Sequence, residues 1–233
     1  VVGVTGSVGK TTTKEMLRRG IGATRRVHAT AGNHNNLIGL PLTVLSTPED
    51  TEVLVLELGM NHAGEITRLT SVARPTVAVI TNVGTSHIGL LGSRENIARA
   101  KAEIVSGMRA FDSIEPTLIQ ASAGDYTKFI ADEFARPAHV VCKTVGATEA
   151  DVMSAQRVTL DEEGLPTATI SAASGWSRTV TLEVPGRVVV DDLLLALEAI
   201  ETLGLDLDAA AEAIEQMPAT RMRLSVLDAT CGA

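Results

Sequence analysis

Lys10 and Thr11 are the residues of this chain best placed to do chemistry. They belong to the stretch Thr5-Gly6-Ser7-Val8-Gly9-Lys10-Thr11-Thr12, which follows the apolar run Val1–Val4 and precedes a helical pattern. A strand, a Gly-rich turn and a helix start together make a phosphate cradle. Glycines let backbone N–H groups turn inward, and the helix dipole adds positive charge. In such a loop the lysine reaches the β- and γ-phosphates, and the hydroxyl after it holds Mg²⁺. The loop therefore predicts binding of a nucleoside triphosphate. It is one glycine short of the general form G-x-x-x-x-G-K-[ST], because Val4 stands where the first glycine belongs. What remains is G-x-x-G-K-T-T, which by itself also fits an ordinary strand–helix turn.

Three polar clusters follow other apolar runs. Asn33, Asn35 and Asn36 crowd one short loop. They read either as amide donors and acceptors beside the phosphates or as turn residues in left-handed conformations. Glu57 ends a run of apolar residues, where burial is costly unless the charge is paired or meets a metal. It suits Mg²⁺ coordination, the alternative being a solvated strand end. His87, in Thr81-Asn82-Val83-Gly84-Thr85-Ser86-His87, is a metal ligand or a structural hydrogen-bonder. Lys101 lies in a helical pattern, and composition gives it no special role.

These residues need a scaffold, and the pattern supplies one. Strand signals at Val1–Thr5, Arg26–Thr30, Glu52–Leu58, Thr76–Thr81, Thr117–Gln120 and His139–Lys143 alternate with helices near Lys10–Ile21, Leu37–Leu45, Gly64–Ala73, Ser93–Met108 and Asp125–Phe134. Ser93 is a plausible helix N-cap. From residue 151 to 184 the pattern becomes antiparallel, with strands at Arg157–Leu160, Thr167–Ser171 and Thr179–Val184. Helices at Asp191–Leu203 and Asp208–Met217 follow. The expected fold is α/β: a doubly wound, mostly parallel sheet with helices on both faces and an antiparallel β-meander extension. Ligands gather at the carboxyl ends of the strands in such sheets.

Composition narrows the function classes. The 233 residues are 45% hydrophobic but only 2% aromatic, so the core must be aliphatic. A net charge of −8, with no basic block or aromatic platform, argues against nucleic acid. No apolar run reaches the ~20 residues of a membrane span. Cys142 and Cys231 fit no metal or redox spacing, which points to a reducing, cytoplasmic setting. Val1 opens inside a strand and residues 226–233 read as a connection, so the chain looks like one domain of a longer protein.

Taken together, the motifs closely resemble the central, ATP-binding domain of the Mur ligases. The matching stretches are TGSVGKTTTKEML, TAGNHNNLIGLPLTVL, the long run from LELGMNHAGEI through TNVGTSHIGLLG to ENIARAKAEI and, weakly, PATRMR. The KTTTKEM, GNHNN and GMNHAGEI wording favours the branch that adds D-alanyl-D-alanine to a UDP-muramyl tripeptide. The resemblance implies that ATP phosphorylates a substrate carboxylate and that an amine attacks the acyl phosphate. It implies that Thr5 to Thr12 hold ATP, with Thr11, Glu57, His87 and Lys101 around Mg²⁺. Asn33, Asn35 and Asn36 fall on the substrate side. Lys101 matches a lysine that carries a carbamate in most members, and Arg221 matches an arginine that approaches the phosphates. Lys10, Asn36, Lys101 and Arg221 are thus the implied catalytic set.

The resemblance also implies residues 1–218 as the ATP-binding domain and 219–233 as a linker to a C-terminal domain. A UDP-binding domain would precede them, so the fragment alone is not expected to turn over. A cytoplasmic monomer acting on small molecules is expected. Two stretches depart from the family wording, and one of them, Ser122–Asp125, lacks the usual Asn-Ala-Asp-Asp. The adenine-side pattern PGxHNxxN stands here as Pro185-Gly186-Arg187-Val188-Val189-Val190-Asp191-Asp192, with Val188, Val189 and Asp192 at the His and Asn positions. A sister ligase, a folylpolyglutamate-type ligase and a non-catalytic nucleotide-binding module are the alternatives. A GTPase is disfavoured by the missing N-K-x-D box.

Overall fold

The computed structural model of the protein describes residues 1–148 and 150–218. Nine strands form one sheet: β1 (Val2–Thr5), β2 (Val27–Ala29), β3 (Val53–Glu57), β4 (Val77–Ile80), β5 (Thr117–Ala121), β6 (Val141–Gly146), β7 (Met153–Leu160), β8 (Pro166–Ala172) and β9 (Ser177–Thr181). Their order is β2-β3-β1-β4-β5-β6-β7-β8-β9. Every pairing from β2 to β7 is parallel, and β7-β8-β9 is antiparallel. The expected doubly wound sheet with a meander at one flank is therefore what forms.

Side chains alternate between two cores, because successive strand residues face opposite ways. Val2, Val4, Val77 and Val79 face one core. There they meet α1 (Lys10–Gly22), α7 (Val188–Thr202) and α8 (Leu207–Glu215). Leu56, Leu58, Ala78 and Ile80 face the other. That side is covered by α2 (Gly39–Leu45), α3 (Glu65–Ala73), the short α4 (Ile88–Leu91), α5 (Arg94–Ala102) and α6 (Thr127–Ile130). With so few aromatics, aliphatic residues such as Leu17, Ile21, Leu56 and Ile66 are fully buried. Each contributes about 1.5–3 kcal/mol.

Several boundaries differ from the sequence expectation for identifiable reasons. Pro41 sits in the first turn of α2, where an N–H is not needed by the helix. Ser93 caps α5 by accepting from Asn96 N, but the helix tightens into a 3₁₀ turn at Glu103–Gly107 before Met108. The expected helix Asp125–Phe134 is a single α turn followed by a π segment, Ala131–Ala135. Strand β6 starts later than His139, whose φ of +56° places it in a turn. β7 starts before Arg157, which takes φ +53° where the pairing register shifts between Gln156 and Thr159. β9 ends at Thr181 rather than Val184. Helix α7 begins at Val188, because Val189 and Val190 bury against the core.

Candidate active site

The phosphate loop leaves the sheet at the end of β1, which lies between β3 and β4. Val4 pairs with Glu57 on one side and Val79 on the other, so it lies inside the ladder. That placement accounts for the missing first glycine: the strand continues through Thr5, and the turn is made by Gly6 and Gly9 alone. Gly6 has φ +152° and Gly9 φ +85°. A Cβ at Gly6 would overlap the Thr81 hydroxyl, and one at Gly9 the Asp192 carboxylate. Lys10 then opens α1, the position where an anion gains from the first-turn N–H groups. Its Nζ donates to Gly6 O at 2.9 Å.

The carboxyl ends of four neighbouring strands converge around this loop. Together with α5 they enclose a cavity of about 320 Å³. Gly6 and Lys10 contribute from β1, and Asn33, Asn35 and Asn36 from the loop after β2. Gly59, Met60, Asn61 and Glu65 come from the segment after β3, and His87 from the segment after β4. Lys101 reaches in from α5. A larger groove of about 650 Å³ opens at the opposite end of the sheet, near Val1, Val53 and Thr76. It has no phosphate loop and lies away from the strand ends that carry the chemistry.

Glu57 stands just behind this cavity and is only 2% exposed. Thr11 Oγ1 donates to one carboxylate oxygen at 2.9 Å, and Asn35 Nδ2 to the other at 2.8 Å. Its own N–H donates to Thr30 Oγ1 at 3.0 Å. Buried Lys14 completes this wall by donating to Thr30 O at 2.9 Å and to Glu15. The carboxylate is thus paired, as burial demands, and the solvated-strand-end reading is ruled out. A buried carboxylate and the hydroxyl bonded to it stand behind a cavity whose lining includes the His87 imidazole. Mg²⁺ takes one or two carboxylates and leaves other positions to water and phosphate oxygens, so these residues fit it. Among the described residues no cluster of three His, Cys, Asp or Glu exists, so a metal held by protein carboxylates alone does not fit.

The asparagines divide their work. Asn36 Oδ1 accepts from Ile38 N and Gly39 N, capping α2 at 3.0 and 2.8 Å. Its amide NH₂ has no partner among the described residues. The left-handed residue of this loop is Gly32 and not an asparagine. His87 is exposed and takes φ +65°, a conformation uncommon for a residue with a Cβ. Lys101 is 2% exposed. Burial, with the Lys10 cation nearby, lowers its ammonium to about 7.

The other expected residues lie outside the cavity lining. Thr5 is buried at the end of β1, and its hydroxyl has no hydrogen-bond partner among the described residues. Ser7, Val8, Gly9, Thr11 and Thr12 shape the loop and the helix start around the cavity without lining it. Arg221 lies outside the described residues. Met60, Asn61 and Glu65 were not singled out individually from sequence. Their signal was the GMNHAGEI wording right after Glu57. Glu65 binds Asn61 N at 2.7 Å and His62 N at 3.3 Å, which fixes that loop at the cavity rim.

The departure at Asp192 also finds its place. Asp192 does not open onto the cavity. It lies on α7 behind the loop and accepts from Thr13 Oγ1 at 3.1 Å. Burial, offset by the Thr13 hydroxyl and reinforced by neighbouring Asp191, pushes its carboxyl up to about 7.

Comparison with known proteins agrees with this geometry. Residues 4–200 match the family model described as the Mur ligase middle domain. The chain is 40% identical over 234 residues to the UDP-N-acetylmuramoyl-tripeptide–D-alanyl-D-alanine ligase of Bacillus subtilis, covering all of this chain and 48% of that protein. It superposes on MurF from Acinetobacter baumannii with a TM-score of 0.90 at 30% identity, over 98% of this chain and 48% of that one. MurF from Thermotoga maritima in complex with ADP gives a TM-score of 0.82 at 30% identity, over 97% and 50%. The chain spans about half the length of these relatives. With a family model matching most of the chain and a relative 40% identical along all of it, the chain belongs to the Mur ligase middle-domain family.

Proposed function

We propose that the chain is the ATP-binding part of an enzyme that joins D-alanyl-D-alanine to a UDP-N-acetylmuramoyl tripeptide, a step in peptidoglycan precursor synthesis. The observation that carries this reading is the convergence of Lys10, Lys101, His87 and the three asparagines on one cavity at the phosphate loop. Similarity over all of this chain, and about half of the relative, to a protein bearing that ligase name supports the choice of substrates. We place the protein in the cytoplasm as a monomer. No helix among the described residues is long and apolar enough to cross a membrane.

In this reading the γ-phosphoryl group of ATP passes to a carboxylate oxygen of the tripeptide, and ADP leaves. The amine of D-alanyl-D-alanine then attacks the acyl carbon. Phosphate departs, and the amine's proton goes to solvent or a base. Two anions must meet in the first step, so charge neutralisation and positioning supply most of the acceleration. Lys10 would hold the β- and γ-phosphates, and the Asn36 amide would orient the reacting carboxylate. Thr11, Glu57 and His87 would hold Mg²⁺, which would polarise the phosphate oxygens.

Lys101 fits that set only after modification. As an ammonium it would repel Mg²⁺ and Lys10, and no carboxylate partners it among the described residues. Burial keeps a neutral amine accessible near neutral pH, and a neutral amine can add CO₂ to give an anionic carbamate. We assign Lys101 that role, and we assign Arg221, which lies outside the described residues, a role in neutralising the phosphates. The test is product release by the full-length protein. ADP and phosphate should form only when both the UDP-muramyl tripeptide and D-alanyl-D-alanine are present. Equal turnover with glutamate in place of the dipeptide would move the protein to a sister activity.

A further inference from the structure

We propose that Asn82 is the positioning residue of the phosphate loop, fixing its shape through both main-chain groups of Val8. The inference rests on the reading of Gly6–Lys10 as the loop that takes the nucleotide phosphates. Val8 N–H donates to Asn82 Oδ1 at 3.1 Å, and Asn82 Nδ2 donates back to Val8 O at 3.2 Å. A carboxamide offers an acceptor and a donor on two separate atoms side by side, so it can meet an N–H and a C=O at once. The two residues are 74 positions apart in the chain.

The clamp is one part of a wider brace. Ser7 N donates to Asn82 O at 3.1 Å, and Ser86 Oγ donates to Ser7 O at 3.4 Å. Gly84 N donates to Ser7 Oγ at 2.9 Å, and the Thr81 hydroxyl donates to Val8 O. All four main-chain polar groups of Ser7 and Val8 are therefore tied to the segment 81–86. Packing does not replace these bonds, because the Val8 side chain is 61% exposed. A loop held by hydrogen bonds rather than burial takes its shape from those partners. Pre-shaping it removes ordering cost from ligand binding. The same segment continues directly to His87 at the cavity, so one strand exit supports both the phosphate loop and the imidazole.

The test uses the full-length protein, with MgADP binding measured by calorimetry and steady-state constants measured alongside. Asn82→Ala removes both contacts and should weaken MgADP at least about tenfold. The KM for ATP should rise in step while the KM for D-alanyl-D-alanine stays within about twofold, a split that general destabilisation would not produce. Asn82→Asp keeps the volume and the acceptor but turns a carboxylate oxygen toward Val8 O. It should also weaken MgADP, and it serves where Asn82→Ala loses its fold. MgADP affinity within about twofold of wild type in both folded variants overturns the clamp alone. Wild-type protein with no affinity for MgADP overturns the phosphate-loop reading and the clamp together.

Discussion

Thr11 and Thr13 leave the first turns of the same helix and end against two buried carboxylates with opposite surroundings. On one side Thr11 meets Glu57, which also accepts from Asn35 and stands beside a cavity lined by Lys10, Lys101 and His87. On the other side Thr13 meets Asp192, whose one side-chain donor among the described residues is Thr13 and whose carboxylate lies against Gly9 of the phosphate loop. Burial pushes the Asp192 carboxyl up to about 7. Both acids are almost fully inaccessible. What separates them is the number of donors and cations in reach. Burial alone therefore does not mark a functional carboxylate; a second donor and an adjoining polar cavity do. The Glu57 side is built for charge, and the Asp192 side for packing the loop onto α7.

The sharpest way to break this contrast is to remove the cation of the chemical side. Lys10→Ala in the full-length protein should lower the ligation rate by at least about 10³-fold, measured at saturating amine. Retention of more than a tenth of the rate would remove the loop from the mechanism.

Next comes Lys101→Ala, expected to cost about 10²-fold. Short carboxylic acids added to the assay should restore part of the rate, because they can replace the missing anion. A loss that no acid relieves would leave Lys101 as a packing residue and the carbamate without support.

The dry side should answer in stability rather than rate. Asp192 has a folded pKa raised from 3.8 to about 7, so the folded state holds a proton that the unfolded state has released between those values. Its contribution to stability therefore falls as pH rises from about 4 to 7 and is level above. Asp192→Asn keeps the acceptor for Thr13 without the charge. Its melting temperature should match wild type near pH 4 and exceed it at pH 8, by the equivalent of about 1–3 kcal/mol. A variant less stable than wild type at pH 8 would mean the ionised carboxylate has a partner that favours its charge.

The smallest effect is expected from Thr13→Val. It leaves the Asp192 carboxyl without its donor and should cost about 1 kcal/mol. Urea unfolding would measure this, with kcat unchanged within error. Thr11→Val as its counterpart should instead depress kcat, which would restate the contrast with two isosteric changes on one helix.

Much of this was legible before any coordinates. The apolar runs at Glu52–Leu58 and Thr76–Thr81 marked buried parallel strands, because strands covered on both faces carry no alternation. Gly6, Gly9 and Lys10 marked the cradle. The elements that slipped did so where local pattern competes with tertiary packing. Val189 and Val190 extend α7 toward its N-terminus because they bury, and the bulge at Arg157 is a pairing irregularity that no single strand reveals. Asn82 was overlooked because its residue type is common in loops and its partner lies 74 positions away.

The sequence by itself determined the phosphate loop, the strand–helix alternation and the family, since each rests on residue types at short spacing. Only the tertiary structure decided which threonine meets which acid. Thr11 reaches Glu57 across 46 residues, and Thr13 reaches Asp192 across 179. The reason is physical: a hydroxyl has no preference for a carboxylate until the sheet order and the helix layers bring one beside it. The same packing decides whether that acid adjoins the polar cavity or the back of the phosphate loop.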